Sequence, residues 1–159
     1  MNRNRIAIFA LGVACALLVV ASVFAADANM GTWKINLGKS KYDPPNLAPK
    51  STTAKNEGVD GGIKVTVDAV DYTGKSLHYD YAVKYDGKDV PVKGDPNRDM
   101  TSMKKIDDNT FEQTNKKDGK VTTTSRIVYA KDGKSRTLTT TGTNPQGQKV
   151  NNIIVWDKQ

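Results

Sequence analysis

From Gly31 onward, polar and apolar residues alternate in short runs. In GTWKINL, Trp33, Ile35 and Leu37 fall on one side, and Thr32, Lys34 and Asn36 on the other. Ile63, Val65 and Val67 oppose Lys64, Thr66 and Asp68. In SLHYDYAVKY, Leu77, Tyr79, Tyr81, Val83 and Tyr85 oppose His78, Asp80, Ala82 and Lys84. A period of two with one wet face is the pattern of antiparallel strands over a single core. The stretch KVNNIIVWDK is more apolar, with Ile153 to Trp156 consecutive, and predicts a strand covered on both faces or paired at a closure.

Turn signals separate the runs: Asp60-Gly61-Gly62, Thr73-Gly74, Asp86-Gly87, Asp118-Gly119, Asp132-Gly133 and Asn144-Pro145-Gln146-Gly147. Asp-Gly favours type I′ hairpin turns, whose two central residues take positive φ. The Asp-Gly-Lys triplets recur without a fixed period, so they are one hairpin solution used repeatedly rather than a repeat architecture. No stretch has convincing helical periodicity. The predicted fold is all-β, a single antiparallel up-and-down meander barrel of about 8–10 strands. The first strand (Gly31 to Leu37) is expected beside the last (Lys149 to Asp157). An open β-sandwich is the alternative. The proline-bearing stretch Gly38 to Lys50 predicts a loop at an edge or barrel mouth, because proline donates no amide hydrogen.

The first 25 residues break this pattern. Arg3 and Arg5 precede an unbroken run of apolar and small residues that ends in Val23-Phe24-Ala25. This is the layout of a signal peptide cut before Ala26. It divides the chain into a leader, 1–25, and one domain, 26–159, long enough for a real core. The run could also span a bilayer if left uncut. Cys15, the one cysteine, lies within it. Gly12 stands where a lipoprotein signal carries a Leu-like residue. Removing the leader leaves no thiol for disulfide or nucleophile chemistry.

The formal net charge is +7, and +5 once Arg3 and Arg5 are gone. The lysines are scattered, which argues against a nucleic-acid footprint. It fits a solvated surface with some attraction to anionic envelope components.

GTWKINLGKSKY followed by a β-meander resembles the calycin superfamily, the lipocalins and fatty-acid-binding proteins. Gly31 and Trp33 match the Gly-x-Trp of the lipocalin first strand, and Gly31 to Lys34 match the opening Gly-Thr-Trp-Lys of fatty-acid-binding proteins. GTWKINLGKSKY, YDGKDVPVKGDP and NNIIVWDK also resemble segments of small uncharacterised secreted bacterial proteins. The resemblance implies a lipocalin-like barrel carrying a ligand inside. Two departures qualify the ligand. Gly38 to Lys50 is too short for the lid helices of fatty-acid-binding proteins. Their carboxylate-binding Arg-x-Tyr has no counterpart, since Arg126 and Tyr129 are wrongly spaced.

The catalytic inventory is poor. His78 is the only histidine, and it falls on the polar face. Triads and most zinc sites would both have to use it. Glu57 and Glu112 are the only glutamates, and most aspartates sit in turns, where their side chains bond the backbone. DPNRD (Asp95 to Asp99) begins like a calcium loop, but Met100 and Ile106 occupy the glycine and glutamate positions. No metal, cofactor or catalytic residue is expected.

The inward aromatics Trp33, Tyr79, Tyr81, Tyr85, Phe111 and Trp156 are the candidate ligand contacts. They read either as plain core or as the lining of a cavity. Thr-rich strands after Lys120 would make part of the interior polar. The expected function is that of a periplasmic or secreted, non-enzymatic binding protein. Its partner would be a small hydrophobic or amphipathic ligand. The alternative is an envelope or secreted protein-interaction module, for example an inhibitor, acting through Gly38–Lys50 or YDGKDVPVKGDPNRD, with an envelope protein as its possible partner. Nucleic acid is not expected as a partner, and a membrane only through an uncleaved leader.

Overall fold

The computed structural model describes residues 29–159; the leader expectation and Cys15 lie outside them. Ten strands follow in order: β1 (Gly31–Ile35), β2 (Ser51–Val59), β3 (Gly62–Val70), β4 (Ser76–Lys84), β5 (Val90–Pro91), β6 (Met100–Lys105), β7 (Thr110–Lys117), β8 (Lys120–Tyr129), β9 (Ser135–Thr143) and β10 (Lys149–Lys158). One turn of 3-10 helix, Pro45–Leu47, lies in the β1–β2 connection. All ten strands belong to one antiparallel sheet, ordered β4-β3-β2-β1-β10-β9-β8-β7-β6-β5. The predicted meander is therefore observed, curled into a nearly closed barrel.

The first and last strands meet as expected, with Trp33 opposite Lys158 and Ile35 opposite Trp156. The sheet's two edges meet in mid-chain. There β4 touches the β5–β6 region through two isolated bridges, Asp80 with Lys93 and Asp86 with Lys104. Asp80 and Lys93 exchange both backbone bonds, at 3.1 and 3.0 Å, and Gly87 donates to the Met103 carbonyl at 2.9 Å. This seam is the weakest line of the barrel.

Gly94 sits on the seam at φ +90°, where a Cβ would overlap the carbonyl oxygen of His78. Only glycine takes that backbone cheaply and lets the two edges approach. Gly94→Ala is expected to cost about 2 kcal/mol or more. A lowered urea midpoint with unchanged m-value would register it.

The alternation places the core largely as read. Trp33, Ile35, Ile63, Val65, Val67, Tyr81 and Val83 are all buried. One expectation needs correction. Leu37 is 41% exposed. β1 stops at Ile35, and the chain bends where the Lys39 amide donates to the Asn36 carbonyl. The chain rejoins β10 at Lys41, which exchanges backbone bonds with Ile153 at 2.7 and 2.9 Å. Of the two alternatives expected for the apolar run of β10, the closure is the one observed: it pairs with β1, and Ile153 is 42% exposed.

The Asp-Gly turns also differ among themselves. Asp118 (φ 50°) and Gly119 (φ 73°) both take positive φ, as a type I′ turn requires. At Asp86-Gly87 and Asp132-Gly133 only the glycine does. Asp132 Oδ1 instead accepts the Lys134 amide, and Gly133 donates to Ala130, in a longer loop that needs one left-handed residue.

Candidate ligand cavity

The barrel encloses a cavity of about 550 Å³. The loops that line it, with Tyr42 and Leu47 from β1–β2, Tyr72 from β3–β4, Asn97 from β5–β6 and Pro145 from β9–β10, all lie at one end. That end is the mouth, and the proline-bearing loop crosses it as expected. The opposite end is filled by aromatic rings.

This floor is built on Trp33, which is 0% exposed. Tyr129 meets it edge-on at 5.5 Å, and Phe111 meets Tyr129 at 5.8 Å. Tyr85 packs against Phe111 at 4.8 Å, the rings tilted by 45°. Asn29 closes the floor from below: its carbonyl accepts Trp33 Nε1 at 3.3 Å and Asn56 Nδ2 at 2.9 Å. The Arg136 guanidinium lies 4.8 Å from the Trp33 ring centre and 4.9 Å from that of Trp156, and Nη1 donates to Tyr129 Oη at 3.1 Å. Rings above and below a desolvated guanidinium attract it through their electron-rich faces.

Above the floor the two halves of the barrel differ. Ala54, Val65, Val67, Ala69 and Leu77 of β2 to β4 make an apolar wall. Gln113, Asn115, Ser125 and Thr140 of β7 to β9 make a polar one, with Ile127 and Leu138 between them. Threonine suits a strand as valine does, so the sequence changes the wall's polarity without losing the sheet. The polar groups are tied together. Ser125 and Thr140 share a hydrogen bond of 2.7 Å, and Gln113 Nε2 donates to Tyr81 Oη at 3.0 Å and to Thr101 Oγ1 at 3.1 Å.

Arg98 joins this network to the seam. It comes from the β5–β6 loop, yet its side chain is only 12% exposed. Nε donates to Asp95 Oδ2 at 2.9 Å and Nη1 to Asn115 Oδ1 at 2.7 Å. Its guanidinium carbon lies 5.1 Å from the ring centres of both Tyr79 and Tyr81 on β4. One side chain therefore links β7 to β4 across the weakly bonded seam. The stretch read as a calcium-like loop start serves this role: Asp95 spends its oxygens on Arg98 and on the Asn97 amide.

The six aromatics expected at the site separate into two groups. Tyr79, Tyr81 and Trp156 line the cavity, whereas Trp33, Tyr85 and Phe111 belong to the floor beneath it. Arg98, Gln113, Asn115, Tyr129 and Arg136 were not among the expected residues. The inward phase of SRTLTTT carried a signal for Arg136, since it alternates with Leu138 and Thr140. His78 is on the outer face, its Nδ1 2.7 Å from Asp68 Oδ1, with both side chains exposed.

Burial pushes the Tyr79 hydroxyl up to about 12, with Arg98 pulling the other way. Burial also raises Tyr42 well above the usual tyrosine value, and Tyr79 adds to it. In the unfolded chain Tyr79 ionises near 10, so it loses its proton there first. Its contribution to stability is intact below pH 10 and is lost as pH rises towards 12, by about 2 kcal/mol over that window. Urea midpoints measured at pH 9.5 and 11.5 are expected to show this fall, and a smaller one in Tyr79→Phe.

Comparison with known proteins yields no matching family model and no matching curated protein.

Proposed function

We propose that this is an exported, non-enzymatic binding protein that holds a small amphipathic ligand inside a calycin-like barrel. The observation that carries this reading is the cavity. Its volume of about 550 Å³ falls within the range of small-molecule sites, and the loops that line it come from one end of the barrel. An apolar wall facing a polar wall suits a ligand with the same two sides.

The chemistry at hand supports binding over turnover. Asp95, the acid set deepest in the mouth, is neutralised by Arg98, and His78 lies on the far side of the sheet. The signal-like leader supports export. The segment YDGKDVPVKGDPNRD commits Val92, Asp95 and Arg98 to the barrel, which leaves less of it for a protein partner.

The test is a panel of amphiphiles, read by thermal shift and by the fluorescence of Trp156, which borders the cavity. At least one should bind saturably and raise the melting temperature. Ala69→Phe, which narrows the cavity near its mouth, should abolish that binding in a folded protein. A panel without a saturable binder, or binding unaffected by Ala69→Phe, would overturn the reading.

A further inference from the structure

The hydrogen bonds around Gln113 run in one direction. Arg98 can only donate, and its Nη1 donates to Asn115 Oδ1 at 2.7 Å. That oxygen also accepts the hydroxyl hydrogen of Thr101, at 2.9 Å. With its hydrogen spent, Thr101 Oγ1 is left to accept, and Gln113 Nε2 donates to it at 3.1 Å and to Tyr81 Oη at 3.0 Å. The sequence of bonds therefore fixes which way the Gln113 amide points, and leaves its carbonyl oxygen Oε1 on the other side. Oε1 takes no hydrogen bond from the described residues. Among those residues, the enclosed side-chain atoms without a partner are Asn56 Oδ1, Asp99 Oδ1, Arg136 Nε and Trp156 Nε1, and Gln113 Oε1 is not one of them. The oxygen is open, and it opens to the cavity, because Gln113 lines it and is otherwise buried.

Its neighbours complete a belt. Gln113 of β7 lies directly opposite Ser125 of β8, and Ser125 directly opposite Thr140 of β9. All three line the cavity. Neighbouring strands are about 5 Å apart, so the row spans about 10 Å. Ser125 Oγ and Thr140 Oγ1 lie 2.7 Å apart and share one of their two hydroxyl hydrogens. The second hydrogen has no acceptor among the described residues. The belt thus sets one free acceptor beside one free donor. Tyr129, opposite Arg136, lies four residues beyond Ser125, about 13 Å along β8, so the belt stands clear of the floor.

We propose that Gln113, Ser125 and Thr140 form a subsite for an uncharged group that both gives and takes a hydrogen bond, a hydroxyl or an amide. The ligand gives its hydrogen to Gln113 Oε1 and takes one from the hydroxyl pair, while its hydrocarbon lies against Val65 and Val67 of the apolar wall. A ketone, an ester or a carboxylate only accepts, and sets oxygen against oxygen at Gln113. A buried acceptor left unmatched by a ligand that excludes water is costly, and that cost carries the discrimination. The inference rests on the ligand-carrier reading and adds the chemical class of ligand.

The test compares 2-decanol with 2-decanone, which share a carbon skeleton and differ in whether the oxygen carries a hydrogen. Titrations followed by the fluorescence of Trp156 should show the alcohol binding about fivefold tighter or more. Gln113→Met keeps the length of the side chain and removes the acceptor; it should bring the two affinities together. Ser125→Ala/Thr140→Val removes the donors; it should weaken both compounds and keep the alcohol ahead. Equal binding to the unaltered protein, a preference that survives Gln113→Met, or one lost in the double variant, overturns this inference and leaves the carrier reading standing. If Gln113→Met does not fold, the comparison on the unaltered protein and the double variant decide. If neither compound binds, this inference falls. If the wider amphiphile panel fails as well, so does the carrier reading.

Discussion

Trp33→Ala is expected to lower the unfolding free energy by about 3–5 kcal/mol, the usual cost of truncating a buried aromatic. Trp33 has no solvent exposure, and three elements depend on it. Tyr129 of β8 packs edge-on against its ring, Arg136 of β9 stacks on its face, and the Asn29 carbonyl accepts its Nε1 hydrogen. Truncation opens a void beneath the cavity and removes one of the rings that make a buried guanidinium tolerable. Collapse of the site around the void is limited, because its neighbours are held by β8, β9 and β10 pairing. Trp33→Phe keeps a ring for Arg136 and Tyr129, so its loss should be well under half as large. Urea unfolding of the two variants, followed by far-UV circular dichroism, measures both.

Arg98→Leu is expected to cost a similar amount, about 3–5 kcal/mol, for an electrostatic reason. The substitution leaves Asp95, whose side chain is 9% exposed, without its counter-charge. It also removes the link between Asn115 and the β4 tyrosines at the seam. The two effects separate in the double variant Arg98→Leu/Asp95→Asn. Removing the stranded charge should restore more than half of the lost stability, and the remainder reports the seam. No recovery in the double variant would assign the cost to packing alone.

The barrel was legible because its alternation is regular and its turns are marked. Val65, Val67, Tyr81 and Val83 needed only a period of two. The errors came where the chain leaves that period. Leu37 continues the alternation of β1 on paper, but the backbone bends after Ile35, and a strand pattern does not encode its own stop. The apolar run at Ile153 left two alternatives, cover on both faces or a closure, and only the pairing with β1 decides for the closure.

The cavity was harder to read. An inward tyrosine looks the same in sequence whether it packs a floor, like Tyr85, or borders a void, like Tyr79. The difference lies in how far along the barrel axis it sits, and that follows from register. Arg136 was readable from its phase. Arg98 was not, because a loop residue has no phase and its burial arises from strands β4 and β7, which converge on it only in the folded barrel.

The seam has a consequence for the chain's wiring. The longest-range pairing, Trp33 with Lys158, is made by a full ladder between β1 and β10, while the loosely bonded line falls between strands close in sequence. Pairings of large sequence separation are reached against the greatest loop-closure entropy. Gln159 donates to the Thr32 carbonyl at 2.9 Å, so the two ends of the described chain lie side by side. A chain joined there and opened between Lys84 and Val90 would place every strand beside its sequence neighbour. The β1–β10 ladder would then be local, and the seam would become the long-range contact that closes the barrel.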